Sequence, residues 1–299
     1  MIGLSTSIFP DLPGEKIIEI YSDLGITQME LNFTLTPKQV SDITKAAPKQ
    51  GINIISLHNF VPEPPEKERG IMLSDIDQYL RRRAVEQTKD TIMLSSDIGA
   101  RAVIVHIGQP RGWAFETDQN ELRESIRDKV DSGIISRKRQ ELIDKRKGFP
   151  GAYLDSILRS LDEILPLSDD LDITLGIENR YYYGQFPDFV EHGILFQEFS
   201  GSNLGYWHDC GHAHQIEYCG LGSSIDPLEA FKGLLVGIHL HDTKLWTDHC
   251  LPNSEGDIDF SYLKPYLESD TILNLEPRKG SDPQSIPTAL KYLRASGIE

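Results

Sequence analysis

The sequence predicts a (β/α)8 barrel on three observations. Eight short apolar runs alternate with longer amphipathic stretches, as strands alternate with helices in such a fold. The length of 299 residues suits one barrel, and no linker favours a division into two domains. Histidines and carboxylates end several of the runs, and functional sites of barrels lie at the carboxyl ends of their strands. An open doubly wound sheet, the alternative, would recruit only a few strand ends.

The candidate strands are short segments rich in β-branched and aliphatic residues, bounded by turn residues. In chain order they cover 2–8, 28–32, 52–58, 102–107, 173–178, 204–209, 235–241 and 271–276.

The candidate helices lie between these strands. They cover 14–24, 37–49, 74–98, 118–147, 153–165, 187–199, 227–232, 260–267 and 283–295. Gly25, Gly51 and Gly99 each follow a helical run, where a left-handed residue commonly ends a helix. The stretch 111–150 after the fourth strand is unusually long and predicts a helical insertion into a single barrel domain, 1–299. Its role as a lid, an oligomer contact or neither stays open.

The net charge and the cysteine content restrict the binding partners and the cellular compartment that we expect. A formal net charge of −16 opposes binding to nucleic-acid phosphates or to an anionic membrane. Three irregularly spaced cysteines do not form a disulfide framework, which fits a reducing cytosol. Neither a secretion signal nor a membrane span is recognisable. We therefore expect a cytoplasmic protein without nucleic-acid or membrane partners; the oligomeric state, a homo-oligomer included, stays open.

Side chains that bind metals gather at the predicted strand ends. Eight of the nine histidines fall in four short segments, whereas His192 stands apart and is expected at the surface. Glu178 and Glu276 end the fifth and eighth apolar runs, where an ionised carboxylate is costly unless it is paired or bound to a cation. Imidazole and carboxylate together suit zinc, manganese, iron or cobalt. The pattern predicts a metal site at the barrel mouth.

Five short motifs, each at or just after a strand end, give the chain a family resemblance. They are GIEN (176–179), DCGHA (209–213), HLHDTK (239–244), EGDIDF (255–260) and LE (275–276). In this order they resemble the xylose isomerase-like TIM barrels, a superfamily of sugar and sugar-phosphate isomerases and epimerases, inosose dehydratases and related apurinic endonucleases. The resemblance covers essentially the whole chain.

The resemblance implies a site residue by residue. Glu178, Asp209, His239 and Glu276 would hold one divalent ion, with Mn, Zn, Co, Fe and Mg all left open. His239 and His241 would share a strand face, and the resemblance favours His239 as the ligand. An alternative makes Asp209 a cap of backbone amides around the following turn.

The resemblance also implies a reaction on a sugar, a sugar phosphate or an inosose. Glu178 and Glu276 would act as the catalytic pair, one removing a proton next to a carbonyl and the other returning it through an enediolate. His212 would assist catalysis and bind a substrate hydroxyl. Lys244 and Arg278 would hold a distal hydroxyl or phosphate.

The endonuclease branch of the superfamily gives an alternative function, a multi-metal phosphodiesterase acting on abasic DNA. Its additional ligands would be His58, His106, His212, His241, Asp248 and His249. The Asp-x-His pair of that branch is imperfect here, because Asp248 and His249 are adjacent. The acidic charge and the lack of a basic, wedge-bearing loop argue against this alternative. A third interpretation is a barrel that binds a ligand without turnover, and the presence of both Glu178 and Glu276 argues against it.

Overall fold

A computed structural model describes residues 1–299, except for the side chain of Pro150. Eight parallel strands close into a barrel, in which the last strand pairs with the first. They are β1 (Ile2–Ser5), β2 (Gln28–Leu31), β3 (Asn53–His58), β4 (Ala102–Val105), β5 (Thr174–Glu178), β6 (Leu204–Asp209), β7 (Leu235–Leu240) and β10 (Ile272–Leu275). A hairpin of β8 (Asp242–Lys244) and β9 (Thr247–Cys250) follows β7. The predicted barrel is confirmed.

Ten α-helices connect the strands or follow the last one. They are α1 (Gly14–Asp23), α2 (Pro37–Ala46), α3 (Gln78–Asp97), α4 (Phe115–Arg127), α5 (Ser132–Lys147), α6 (Pro150–Asp170), α7 (Phe189–Glu198), α8 (Cys210–Tyr218), α9 (Asp226–Ala230) and α10 (Ile286–Ala295). Among the described helices, none is long and apolar enough to cross a bilayer.

Local sequence explains many of these boundaries. Thr36 and Asp188 each begin a helix with a capping box. In this motif the side chain of the cap residue accepts the backbone N–H of the third helical residue, whose own side chain accepts the backbone N–H of the cap residue. The three glycines expected after helical runs have φ angles of 66°, 67° and 75°, all left-handed. The segment predicted as a helix over 260–267 is instead a 3-10 turn, Phe260–Tyr266, which contains Pro265. Proline lacks the N–H that an α-helix requires there.

The long insertion after β4 differs from the prediction of one continuous helix over 118–147. It breaks at Lys129, whose φ is 51°, and Asp131 then caps the start of α5. The insertion braces the loop that follows β5. Gln119 on α4 accepts a 2.7 Å bond from the backbone of Tyr183, and the buried Arg146 on α5 donates to the Tyr183 carbonyl at 3.1 Å.

The barrel interior has an apolar layer beneath a polar one. Trp207 on β6 is fully buried, and Gly176 and Gly237 on the neighbouring strands leave room for its indole. A Cβ atom at either glycine would lie within 3.0 Å of that ring, which real contacts do not allow. Glu30, Ser56 and Asn274 form a buried hydrogen-bonded group near His239. This group adjoins the site described next.

Candidate metal centre

Four strands bring together the four residues that the sequence singled out as ligands. Glu178 ends β5, Asp209 ends β6, His239 lies near the end of β7, and Glu276 directly follows β10. One ligand atom from each lies within 4.8 Å of every other, and all four side chains are buried. His241, the alternative ligand, belongs to a different group of histidines.

The Nδ1 atom of His239 points into the carboxylates. It lies 2.6 Å from Oε1 of Glu178, 3.2 Å from Oε2 of Glu276 and 3.7 Å from Oδ2 of Asp209. The other ring nitrogen, Nε2, lies 3.1 and 3.2 Å from the carboxylate oxygens of Glu30. Burial lowers the pKa of His239, but Glu276 and Glu30 outweigh burial and hold that pKa well above its usual value.

The charges of this group call for a cation. Burial raises the pKa of Glu276 well above its usual value, and neighbouring carboxylates, Glu30 first among them, add to the rise although His239 opposes it. Burial also raises the pKa of Glu178, but His106 and His239 outweigh it and leave the pKa well below its usual value. Three buried carboxylates and one imidazole lie close enough to share one ion, and buried carboxylates are costly unless a cation or another partner compensates them. The donors therefore fit a divalent ion such as zinc, manganese, iron or cobalt.

A first flanking group lies beside Glu178. His58 at the end of β3 and His106 just beyond β4 bring a ring nitrogen within 4.8 Å of the Glu178 carboxylate. His106 contacts Glu178 through Nε2. Burial lowers the pKa of His58 to about 3 and that of His106 to about 4. Both imidazoles are therefore neutral at neutral pH, the form that binds metals.

A second flanking group contains His212, His241 and His249. His241 lies 2.8 Å from Oδ2 of Asp209, and Asp248 approaches His241 at 3.4 Å and His212 at 3.5 Å. Adjacent residues of a strand normally face opposite sides. Here His249 has a left-handed φ of 52°, which interrupts that alternation. Asp248 and His249 can thus face one cluster although the expected spacer between them is missing.

Asp209 combines the two roles that the sequence posed as alternatives. Its Oδ1 atom caps α8 by accepting the backbone N–H of His212 at 2.7 Å, while its carboxylate also belongs to the four-residue group. The side chain of Asn179 accepts the backbone N–H of Asp209 at 2.7 Å, and the Asn179 carbonyl accepts from Nδ1 of His212 at 2.9 Å. Nε2 of His212 therefore remains for another partner.

Two expected substrate ligands lie outside this cluster. Lys244 and Arg278 are exposed and line a separate cavity of about 400 Å³, whose lining includes none of the residues in the three metal-type groups. Lys244 is the last residue of β8, and its Nζ atom lies 3.9 Å from Oε2 of Glu255. His192, expected at the surface, is buried against Tyr206 instead.

Four polar residues near the ligands were given no role on the basis of the sequence. Arg180 donates to Oε2 of Glu178 at 3.0 Å and lines a cavity of about 280 Å³ with Tyr182 and Tyr183. Asn32 donates to Oε1 of Glu276 at 3.2 Å. Glu30 and Asn179 are the other two. Their common signal is a position at or just beyond a strand end, most visible in Glu30 and Asn32 around the end of β2.

No known family model matches the chain. An uncharacterized protein of Methanocaldococcus jannaschii is 22% identical over 277 residues, which are 90% of this chain and 79% of that protein. A D-tagatose 3-epimerase-like protein superposes with a TM-score of 0.67 at 19% identity and covers 99% of this chain and 98% of its own. An L-ribulose 3-epimerase superposes with a TM-score of 0.71 at 14% identity, and the match covers 99% of this chain and 94% of that protein. For 3-keto-D-glucoside 4-epimerase from E. coli the TM-score is 0.69 at 12% identity, with 98% of each chain covered. The chain thus has the xylose isomerase-like barrel fold.

Proposed function

We propose that this protein is a divalent-metal-dependent sugar isomerase or epimerase, acting on a ketose, a sugar phosphate or an inosose. The observation that carries the proposal is the gathering of Glu178, Asp209, His239 and Glu276 within 4.8 Å at the barrel mouth. The names of several proteins of the same fold, which are sugar 3- or 4-epimerases, support the choice of reaction.

Glu178 and Glu276 would move the proton. They approach the centre from β5 and from the end of β10, so that a substrate between them meets one carboxylate on each side. One would take the proton next to the substrate carbonyl, and the other would deliver a proton to the opposite face. A bound divalent ion would supply polarisation of that carbonyl and stabilisation of developing negative charge.

Other side chains would orient the substrate. His212 donates from Nδ1 to a backbone carbonyl, so the lone pair on its Nε2 could accept a hydrogen bond from a substrate hydroxyl. Arg180, the guanidinium next to Glu178, could bind an oxyanion or a hydroxyl near the reacting carbon. Lys244 and Arg278 would meet only a part of the substrate that reaches past the β8–β9 hairpin.

The test uses the chain loaded with Mn²⁺ or Co²⁺ after chelator treatment, in deuterated water. We expect conversion of one member of a panel of ketoses, ketose phosphates and inososes, with deuterium entering next to the carbonyl. Glu178→Gln and Glu276→Gln should each lower turnover by at least about 100-fold. Lys49→Gln, an exposed change remote from the site, serves as the control. Undiminished turnover in both glutamine variants would refute these roles.

The flanking histidine groups favour one second candidate, a multi-metal phosphodiesterase. His58 and His106 share Glu178 with the four-residue group, and His212, His241 and His249 lie on the other side. Multi-metal sites of this kind can activate water and stabilise a leaving oxygen. Two or three ions per chain, with cleavage of abasic duplex DNA and no sugar turnover, would favour this candidate. One ion per chain with sugar turnover would exclude it.

A further inference from the structure

We propose that Glu30 is a positioning residue, which fixes the tautomer of His239 so that Nδ1 presents its lone pair to the metal centre. The inference rests on the proposed metal site and adds a residue outside the group of four proposed ligands. It concerns which ring nitrogen of His239 carries the hydrogen, and therefore it can be tested by metal binding without an activity assay.

The hydrogen bonds around Glu30 make its carboxylate an acceptor toward His239. Ser56 donates to Oε2 of Glu30 at 3.0 Å, and Asn274 donates to the same atom at 2.7 Å. Both oxygens of Glu30 lie within 3.2 Å of Nε2 of His239. A carboxylate that already receives two donors is an acceptor, so Nε2 must carry the hydrogen.

The tautomer decides whether His239 can bind an ion through the atom that faces the site. A neutral imidazole has one N–H and one lone pair, and a metal binds the lone pair. A hydrogen on Nε2 leaves the lone pair on Nδ1, which points at Glu178, Glu276 and Asp209. The opposite tautomer would direct an N–H toward the ion.

With an ion held among Glu178, Glu276 and Asp209, Nδ1 of His239 faces that ion, and the remaining contacts of the imidazole cannot make this selection. The ring lies edge-on to Trp207 with centroids 5.0 Å apart, and it stacks on His58 at 5.8 Å. These contacts hold the plane of the ring but do not distinguish a protonated nitrogen from an unprotonated one. Hydrogen bonds from the second ring nitrogen are the usual means of setting a ligand's tautomer.

A purely structural role does not account for a carboxylate at this position. Glu30 is fully buried, and among the side chains that the structure describes, no Lys or Arg lies within 4.0 Å of it. An ionised group in such a place is costly unless a partner compensates it. Its partner is His239, which lies 3.1 Å away through Nε2 and is the same residue that faces the proposed centre.

The tautomer can be read directly in the wild-type chain by ¹⁵N NMR of labelled histidine with Zn²⁺ bound. The His239 signals are identified by their absence in His239→Gln. We expect a hydrogen on Nε2 and none on Nδ1. A hydrogen on Nδ1 would overturn the proposal, and this result does not depend on the folding of any Glu30 variant.

Metal affinity provides the second arm, measured with Zn²⁺ alone by chelator competition. Glu30→Met should weaken binding by about 10–100-fold. Glu30→Gln keeps an acceptor oxygen and should recover most of that loss. Ser56→Ala removes one donor to Glu30 but leaves the Glu30–His239 pair, and it should bind within about threefold of wild type.

The outcomes separate this inference from the proposed function. Binding by folded Glu30→Met within twofold of wild type would overturn the positioning role while leaving the metal site intact. A wild-type chain that binds no divalent ion would instead refute the proposed function itself. If Glu30→Met does not fold, Glu30→Gln and the tautomer of the wild-type protein decide the question.

Discussion

Nδ1 of His239 lies 2.6 Å from Oε1 of Glu178, although β6 separates their strands in the barrel. The pair can meet because both side chains project to the inside of the ring at its carboxyl end. Glu178 also belongs to the flanking group with His58 and His106, so it links two of the three metal-type groups.

This link predicts that, among the proposed ligands, Glu178 is the one whose loss has the widest effect. Replacement of an outer partner of a metal ligand typically costs 10–100-fold in affinity, and a direct ligand should cost at least as much. We expect Glu178→Gln to weaken Co²⁺ binding by more than about 100-fold, measured by chelator competition. His249→Gln, in the group that does not include Glu178, is the comparison. Equal losses in the two variants would contradict the shared role.

The buried His192 should make stability depend on pH. Burial lowers its pKa to about 4, and a hydrogen bond to the Asp188 carbonyl offsets burial only in part. Unfolded histidine titrates near 6.5, so between pH 6.5 and 4 the unfolded chain binds the additional proton and stability falls as pH falls. The contribution amounts to about 3 kcal/mol by pH 4.

Urea unfolding of wild type and His192→Gln at a series of pH values measures this contribution. We expect the difference in unfolding free energy to move in favour of the variant by about 2–3 kcal/mol between pH 7 and pH 4.5. Parallel curves would show that His192 is not the neutral buried group described above.

The ion pair of Arg146 and Glu191 should be essential for the insertion to dock on the barrel. Nη2 of Arg146 lies 2.6 Å from Oε2 of Glu191, and both side chains are buried. Removal of one partner leaves a buried charge uncompensated, so Arg146→Met should lower the free energy of unfolding by about 3–5 kcal/mol. Lys16→Met, which breaks the exposed pair with Glu19, should leave it unchanged. A similar effect in both variants would contradict the assignment.

Two glycines offer a contrast between close packing and open space. A Cβ atom at Gly256 would fall on the buried carboxylate of Asp242, which accepts backbone N–H groups of Asp257 and Ile258. Gly256→Ala should therefore destabilise the chain by about 1–3 kcal/mol. A Cβ at Gly193 in α7 meets nothing within 4 Å, and Gly193→Ala should stabilise the chain by about 0.5–1 kcal/mol. Thermal unfolding measures both, and a reversed order would contradict the packing at Gly256.

The barrel was predictable because its strands are apolar runs with clear ends. The sixth strand is observed over Leu204–Asp209, the range that the sequence indicates, since a buried run there stops at a carboxylate. The first is shorter than predicted, because the Ser5 side chain accepts the Ser7 N–H and begins a 3-10 turn. The pattern of apolar residues predicts where a strand lies. It does not predict where a hydrogen bond between a side chain and the backbone ends the strand.

Helix α8 and the β8–β9 hairpin could not be recognised in the same way. The buried face of α8 carries polar residues such as His212 and Gln215 in place of an apolar stripe. The hairpin depends on residues with left-handed backbone, Leu245 and His249, that no turn motif announces. This hairpin also carries Lys244 to a cavity outside the metal-type groups, a placement that strand order alone does not reveal.

Strand-end position indicated a metal site, and the family resemblance implied the four proposed ligands, but neither indicated the residues that contact those ligands. Glu30 is separated from His239 by 209 positions, and its strand, Gln28–Leu31, resembles any strand in which polar and apolar residues alternate. Asn32 likewise acts on Glu276 through a contact that only the closed barrel creates. Such partners become visible once three-dimensional distances are known.

The most direct test of the central claim is anomalous diffraction from crystals of the Zn²⁺-loaded chain, recorded on both sides of the zinc absorption edge. We expect an anomalous peak about 2.0–2.2 Å from Nδ1 of His239 and from carboxylate oxygens of Glu178, Asp209 and Glu276. Absence of a peak among these four side chains, with zinc bound elsewhere or not at all, would contradict the account.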